Sequence, residues 1–272
     1  MTALILAAGK SKRINLTLSQ EKKRKFLSWL KSHFPNCSLP EDNFFPKVLL
    51  PLGEEPLISH IINRAKEIGS ERIIVVINPE FDVVREVVVR RVTSPPLVEF
   101  VYQEKPLGTA DAVKRCAEKV EKGEVLILCG DTPLLKSGTL KSLHQIFKTK
   151  GCDLVLLSAF LSNPYGYGRI VRSGSVIKIV EERDADEETK KIGEVNAGVY
   201  LFKASSLFPL LSEIQPSGYP PEYYLTDTVS LLQKKGGRIE IFTTPDPTEI
   251  LGVNTEKDYE LVRDLWQSGR RH

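Results

Sequence analysis

The chain has 272 residues, of which 41% are hydrophobic and 27% are charged, as expected for a soluble globular protein with a substantial core. Its 38 Lys and Arg and 35 Asp and Glu give a formal net charge of +3, which is too small to argue for nucleic acid. No apolar run approaches membrane-spanning length, and the four scattered cysteines, with no CxxC pair, indicate reduced thiols rather than a disulfide framework.

Strand and helix patterns alternate through the first 160 residues. Thr2–Ala7 is a continuous apolar run ended by Gly9, which predicts a strand buried on both faces. Apolar residues at helical spacing predict a helix over Pro56–Ile68 that stops at Gly69. The remaining patterns predict strands over Arg72–Ile77, Leu97–Tyr102, Glu124–Cys129 and Leu154–Phe160, and helices over Thr109–Val120 and Leu140–Phe147. This succession predicts a mostly parallel sheet with helices on both faces.

The pattern changes after Gly168. Ser173-Gly174 lies between two β-rich runs, Arg169–Arg172 and Ser175–Val180, and predicts a hairpin turn. The segments that follow predict a strand over Val195–Phe202, a helix over Tyr223–Lys234, a strand over Ile239–Phe242 and a closing helix over Glu256–Trp266. The second half is therefore expected to add mixed strands to the first sheet, giving one domain over residues 1–272.

A basic, aromatic segment at residues 14–45 interrupts this pattern. Thr17-x-x-Gln20 resembles a capping box. The helix expected after it has an apolar face and a basic face, formed respectively by Phe26, Trp29, Leu30, His33 and Phe34, and by Lys22, Lys23, Arg24, Lys25 and Lys31. Two interpretations stay open: a helix that docks its apolar face on the domain with solvated lysines, or a lid over a triphosphate or a partner surface.

Two strand ends carry residues suited to phosphate chemistry. Gly9 lets the main chain approach a ligand, and Lys10 and Arg13 can neutralise its charge. In open α/β sheets ligands lie outside the carboxyl ends of the strands, where Asp131 also follows a buried strand and could hold Mg²⁺. The plain alternatives are a solvated basic turn for the first loop and a helix cap for Asp131.

The order of several motifs resembles the sugar nucleotidyltransferases. These motifs are Leu6-Ala-Ala-Gly9 with Arg13, Pro46-Lys47-Val48, Gln103 with Leu107-Gly-Thr109, and Gly130-Asp131. Later motifs, Gly166-Tyr-Gly168, Val180-Glu181, Glu194-Val-Asn196, Glu222-Tyr-Tyr224-Leu-Thr226 and Gly252-Val-Asn254, narrow the resemblance to the uridyltransferase domain of bacterial GlmU. The resemblance implies a Rossmann-like nucleotidyltransferase fold with a central mixed, mostly parallel sheet. No hexapeptide pattern of that family's C-terminal acetyltransferase β-helix is found, so acetyl transfer would need another protein and the family's trimer is not assumed.

The resemblance also implies a role for each matching residue. Catalysis would fall to Arg13, Lys47 and Lys10; nucleotide binding to Leu6, Ala7, Gly9, Gln103, Gly108 and Thr109; sugar binding to Gly168, Glu181, Asn196, Tyr224 and Thr226; and Mg²⁺ to Asp131 and Asn254. Each sugar-site residue also has a plain alternative: a turn at Gly168, a solvated strand end at Glu181, a bulge at Asn196 or a core aromatic on a helix at Tyr224.

The reaction implied is Mg²⁺-dependent transfer of a uridylyl group from UTP to N-acetylglucosamine 1-phosphate, in a cytoplasmic enzyme of nucleotide-sugar and cell-envelope biosynthesis. UTP and a sugar 1-phosphate would be its partners, with no nucleic acid and no stable membrane association, and the oligomeric state stays open. Departures from the family pattern at Ser11, Lys12 and Asp111 keep two alternatives: transfer to another sugar 1-phosphate from UTP or dTTP, or a non-catalytic nucleotide-sugar-binding subunit.

Overall fold

The computed structural model describes residues 1–38, 44–91, 97–120, 122–174 and 176–269. Its strands are β1 (Thr2–Ala7), β2 (Pro51–Leu52), β3 (Glu55–Pro56), β4 (Arg72–Ile77), β5 (Leu97–Tyr102), β6 (Glu124–Cys129), β7 (Leu154–Phe160), β8 (Arg169–Ser173), β9 (Val176–Val180), β10 (Glu194–Lys203) and β11 (Ile239–Thr243). Its α-helices are α1 (Lys12–Thr17), α2 (Gln20–His33), α3 (Leu57–Glu67), α4 (Val83–Arg91), α5 (Thr109–Lys114), α6 (Ser137–Lys150), α7 (Glu187–Lys190), α8 (Ala204–Leu211), α9 (Asp227–Lys234) and α10 (Glu256–Gly269).

A nine-stranded mixed sheet forms the centre of the fold. Seven strands follow one another in the order β11-β7-β10-β6-β1-β4-β5, and the hairpin β8–β9 joins at β10. Strands β6, β1, β4 and β5 are parallel, whereas β10 runs antiparallel to both β6 and β7. The predicted Rossmann-like arrangement, a mostly parallel mixed sheet, is thus confirmed, and the carboxyl ends of β1, β4, β5 and β6 share one edge.

Hydrophobic side chains cover both faces of the sheet. Along β1, Ile5 belongs to one buried cluster and Leu4 to the other, because successive side chains of a strand point to opposite faces. Helices α3, α4 and α6 pack on the Ile5 face, and α5, α8 and α9 pack on the Leu4 face. The double cover explains why the central strands read as uninterrupted apolar runs.

Helices α3 and α10 differ from their predicted bounds by one to three residues at an end, and three other helices differ over more residues. The α5 segment ends at Lys114 and continues only as a short 3₁₀ turn, Ala117–Lys119, rather than reaching Val120. The predicted start of α9 at Tyr223 is wrong, because the Tyr223 N–H donates to the Leu107 carbonyl at 2.8 Å and the helix begins at Asp227. Helix α6 extends beyond the predicted 140–147 at both ends. The predicted strand start at Ser175 lies outside the described residues.

Helix α2, which lies within the segment at residues 14–45, docks on the domain. Phe26 of α2 packs edge-on against Tyr259 of α10, with ring centroids 5.3 Å apart. Lys22, predicted to be solvated, instead contacts the carboxylates of Glu256 and Glu260, also on α10. The docked interpretation of the apolar face is therefore confirmed, while the solvated placement of Lys22 is wrong.

The predicted capping box at Thr17-x-x-Gln20 is also wrong. Ser19 caps α2, accepting the Lys22 N–H at 3.3 Å. The Thr17 hydroxyl instead accepts the Glu256 N–H at 3.0 Å, because Thr17 closes a separate short helix, α1, that lies against the start of α10.

None of the helices in the described ranges is long and apolar enough to cross a bilayer.

Candidate active site

Buried Asn15 joins the two parts of the interrupted N-terminal signature. Its amide NH₂ donates to the carbonyls of Ser11 (2.9 Å) and Phe45 (2.8 Å), and its Oδ1 accepts the Phe45 N–H at 2.8 Å. Ser11 adopts a left-handed backbone, with φ of 52°, and its hydroxyl accepts the Lys47 N–H at 2.9 Å. Serine in place of the family's glycine therefore fits the turn and also fixes the backbone of Lys47.

Four polar side chains converge beyond the carboxyl end of β1. Asn254 Oδ1 accepts hydrogen bonds from Lys47 Nζ at 2.8 Å and from Arg13 Nη2 at 2.9 Å. The Lys47 ammonium also contacts the carboxylate of Asp131. Both Lys47 and Asp131 are largely buried, at 17% and 16% side-chain exposure. The structure therefore brings together two predicted catalytic cations and both predicted metal ligands.

Close backbone packing holds Asp131 in this group. The Gly130 N–H donates to the Leu6 carbonyl at 2.9 Å, and a Cβ at Gly130 would lie only 3.2 Å from that oxygen. The Val253 N–H donates to the Asp131 carbonyl at 3.0 Å, tying the strand end of β6 to the residue before Asn254. Leu6, predicted to contact nucleotide through its backbone, thus also connects β1 to the Asp131 turn.

Asn254 is fixed by the start of α10. The carboxylate of Asp258 accepts the N–H groups of Asn254 (3.1 Å) and Thr255 (2.8 Å). Such capping satisfies backbone donors that the first turn of a helix leaves unpaired. Lys10 lies near the other end of the group, partly exposed and without a hydrogen-bond or ion-pair partner among the described residues. Its ammonium is therefore available to an anion.

The donor set at Asp131 and Asn254 fits Mg²⁺. A carboxylate oxygen and an amide oxygen meet at one cationic group, the Lys47 ammonium, and hard oxygen ligands of this kind are those that Mg²⁺ takes. Within the described ranges, no three His, Cys, Asp or Glu side chains are grouped as a metal site. One or two protein ligands suffice for Mg²⁺, which fills its other positions with phosphate oxygens and water.

Gln103, Gly108 and Thr109 lie together at the far side of the same sheet edge. Gln103 follows β5, is 4% exposed, and donates its N–H to the Ile77 carbonyl at the end of β4. Gly108 has a φ of 116°, and a Cβ there would lie 2.5 Å from the Tyr223 carbonyl oxygen. The Thr109 hydroxyl accepts the Leu225 N–H at 3.0 Å, so the predicted base-binding loop packs directly against the segment that carries Tyr224.

Glu181 and Thr226 form the centre of the predicted sugar site. The Thr226 hydroxyl donates to Glu181 Oε1 at 2.7 Å. A Cβ at Gly168 would lie 2.9 Å from Ile179 Cγ2, so glycine allows the close approach of that side chain. Burial raises the pKa of the Glu181 carboxyl, and the neighbouring carboxylates of Asp227, Asp184 and Glu222 act in the same direction against the Thr226 hydrogen bond.

The polar side-chain groups of Asn196 and Tyr224, two predicted sugar-binding residues, point into the protein. The Gly168 carbonyl accepts the Asn196 N–H at 2.9 Å, but the Asn196 amide donates to the buried Tyr200 hydroxyl at 2.6 Å. The strand register shifts between Asn196 and Tyr200, as the bulge alternative expected. Tyr224 lies outside any helix or strand, and its buried hydroxyl has no hydrogen-bond partner among the described residues.

No pattern in the sequence indicates the structural roles of Asn15 and Tyr200. Asn15 lies within the interruption, where no family motif covers it, and a polar residue between Ile14 and Leu16 gives no signal of burial. Tyr200 lies in an apolar strand pattern that gives no sign of a polar contact.

Cys129, at the end of β6, is not suited to act as a nucleophile, because burial raises the pKa of its thiol to about 12.

Comparisons with known proteins identify the family of this chain. The family described as the MobA-like NTP transferase domain matches residues 3–162. The bifunctional protein GlmU of Thermoanaerobacter pseudethanolicus is 41% identical over 213 residues, which are 77% of this chain and 45% of that protein. GlmU of Pelotomaculum thermopropionicum is 38% identical over 237 residues, covering 82% and 50% of the two chains. The chain thus spans about half the length of the curated relatives it matches.

Solved structures share the fold at low sequence identity. A UDP-glucose pyrophosphorylase in complex with UDP-glucose superposes with a TM-score of 0.70 at 17% identity, covering 98% of each chain. A Bacillus anthracis protein assigned as a glucose-1-phosphate thymidylyltransferase gives a TM-score of 0.71 at 19% identity, covering 98% of this chain and 95% of that one. At these identities the similarity concerns the fold alone.

Proposed function

The chain belongs to the family of MobA-like NTP transferase domains, and from this we propose that it transfers a uridylyl group from UTP to N-acetylglucosamine 1-phosphate. The observation that carries the proposal is the convergence of Arg13 and Lys47 on the oxygens of Asp131 and Asn254. Four separate segments of the chain build this charged centre at the ligand-binding edge of the sheet, where an α/β fold receives its substrates. A purely structural ion pair needs no such gathering.

The choice of substrates rests on the relatives and on the predicted sugar site. The GlmU proteins of T. pseudethanolicus and P. thermopropionicum match most of this chain, and the sugar site implied by that resemblance has a paired carboxyl and hydroxyl at Glu181 and Thr226. Such groups are suited to hydrogen bonds with sugar hydroxyls. The proposal treats residues 1–272 as one nucleotidyltransferase domain with an insertion at 14–45, which the continuous sheet supports.

The proposed reaction is a direct displacement at phosphorus. A phosphate oxygen of the sugar 1-phosphate forms a bond to the α-phosphorus of UTP, the bond from that phosphorus to the bridging oxygen breaks, and pyrophosphate leaves with the electron pair. Arg13 and Lys47 bind the oxygens on which charge develops, and Lys10 binds the departing phosphates. Cations that the fold already holds in place stabilise such a transition state without reorganising.

Asp131 and Asn254 would hold Mg²⁺ in this proposal. The ion, when bound, supplies neutralisation of phosphate charge. The protein's own part is to present the two oxygens: β6 and Gly130 fix Asp131, and the Asp258 cap fixes Asn254. Because the Lys47 ammonium contacts both the Asp131 carboxylate and the Asn254 amide oxygen, it holds these two oxygens close together.

One assay tests the proposal against its alternatives. Purified protein is incubated with Mg²⁺, a panel of nucleoside triphosphates and a panel of sugar 1-phosphates, and pyrophosphate release is measured. The expected result is release with UTP and N-acetylglucosamine 1-phosphate above every other pair. A preference for glucose 1-phosphate, with UTP or dTTP, would refute the proposed acceptor and favour another sugar nucleotidyltransferase. Release with no pair would leave a nucleotide-sugar-binding subunit.

A further inference from the structure

Asp111 determines how the side chain of Gln103 is presented. Gln103 Nε2 donates to the Gly108 carbonyl at 3.0 Å and to Asp111 Oδ2 at 2.8 Å. The same carboxylate oxygen accepts from Arg115 Nε at 2.9 Å, forming an ion pair within α5. Both hydrogens of the Gln103 amide are therefore used inside the protein.

The two partners leave only one orientation for this amide. A carbonyl oxygen and a carboxylate oxygen accept hydrogen bonds and donate none. A flipped amide would direct Gln103 Oε1 at both of them, losing two hydrogen bonds and placing three oxygens together. The NH₂ group consequently has to face Gly108 and Asp111, and this conclusion does not depend on how the amide atoms were assigned.

The remaining atom, Gln103 Oε1, is available to a ligand. It accepts no hydrogen bond from the described residues, and it is not among the polar atoms sealed from solvent without a partner. Strands β1, β4 and β5 are neighbours in the sheet, so Gln103 lies two strand spacings, roughly 10 Å, from the end of β1. In the proposed site, a nucleotide with its phosphates at Gly9 and Arg13 would extend its base along this edge toward Gln103.

We propose that Asp111 is a positioning residue that sets base selectivity by holding Gln103 Oε1 toward the base as an acceptor. This inference rests on the proposed function, because it concerns the nucleotide of that same site. A fixed acceptor matches a base with a ring N–H, such as N3–H of uracil or thymine. It meets the lone pair of N3 in cytosine, which accepts and cannot donate.

UTP and CTP are the matched probes, because their bases differ only at N3 and at the group on C4. Binding of each to the protein is measured by calorimetry without sugar phosphate, and kcat/KM for each is measured in the pyrophosphate assay. Asp111→Ala is expected to lower the UTP-over-CTP preference about 10- to 100-fold, the range for loss of a charged hydrogen bond. Asp111→Asn keeps an oxygen acceptor, Oδ1, and is expected to retain the preference.

Arg115→Met separates positioning from stability. It removes the α5 ion pair but leaves the Asp111 acceptor, so its UTP-over-CTP preference is expected to match that of the unmodified protein, even where its melting temperature falls. Equal binding of UTP and CTP by the unmodified protein, or an unchanged preference in a folded Asp111→Ala variant, would overturn the inference. Absence of turnover would refute the proposed function alone, since the binding preference still tests the role of Asp111.

Discussion

Replacing Asn15 by leucine is expected to destabilise the protein and to disturb the catalytic lysine. Asn15 is 6% exposed, and its amide is the partner of both the N–H and the carbonyl of Phe45, which is 1% exposed. Leucine has a similar size but no polar atom. The Asn15→Leu variant therefore leaves two buried backbone groups unpaired while changing the packing volume little.

The magnitude follows from these two groups. A buried donor or acceptor left without a partner costs about 1–3 kcal/mol, so the loss for the pair at Phe45 is about 2–6 kcal/mol. The Ser11 carbonyl adds little, because it keeps the Asn15 backbone N–H at 3.1 Å. At roughly 2–4 °C per kcal/mol for a chain of this size, a loss of about 3 kcal/mol lowers the melting temperature by about 6–12 °C.

Urea unfolding followed by circular dichroism measures this change. Asn63→Leu is the matched control, because Asn63 is exposed on α3, and a shift within about 0.5 kcal/mol is expected there. Turnover by folded Asn15→Leu should also fall, since Lys47 lies two residues beyond Phe45. A loss of less than 1 kcal/mol relative to the control would refute the argument that Asn15 joins the two parts of the signature.

Three further predictions concern the catalytic centre, the docked helix and the sugar site. Lys47→Ala is expected to lower kcat about 10²- to 10³-fold in the pyrophosphate assay, as loss of one preorganised charge does; near-normal turnover would remove Lys47 from the mechanism. Phe26→Ala should lower the free energy of unfolding in urea by about 2 kcal/mol, because it deletes the contact with Tyr259. Leu16→Ala, at an 85% exposed position, is the control and should lower it little. Equal losses of stability in the two variants would argue against docking of α2. Burial raises the pKa of Glu181 above the ordinary glutamate value of about 4.3, so the folded state binds the proton more tightly than the unfolded state does. The free energy of unfolding therefore falls as the pH rises from about 4.3 through the raised pKa. Glu181→Gln should therefore gain stability relative to the unmodified protein between pH 4 and pH 8, and an equal difference at both pH values would contradict this.

Local patterns predicted the central strands well, because β1, β4, β6 and β7 are mostly buried. The bounds of β1, β4, β5, β6 and β7 agree with the apolar runs that predicted them. Helix bounds were less predictable where another segment takes the backbone hydrogen bonds. Tyr223 has a helical neighbourhood in the sequence, yet its N–H donates to Leu107, and no local pattern in residues 223–234 records that partner.

The structure brings the predicted phosphate-binding residues together, whereas one predicted sugar-binding residue is bound within the protein. Arg13, Lys47, Asp131 and Asn254 converge as the family motifs imply, because glycines and strand ends fix the backbones that carry them. Asn196 binds Tyr200 instead of standing free, since a bulge in β10 turns its amide inward. The orientation of Gln103 likewise depends on a long-range arrangement of loop and helix that residue types alone do not give.

The contact between Arg13 and Asn254 has a consequence for the timing of folding. These residues are 241 positions apart in sequence, and Lys47 and Asn254 are 207 apart. Contacts between residues so far apart in sequence form late, because the entropy of closing a long loop has to be lost before the contact is gained. The charged centre is therefore expected to assemble last. In refolding experiments, recovery of turnover should lag behind recovery of the circular dichroism signal, so turnover reports on the docking of the carboxyl-terminal segment rather than on formation of the sheet.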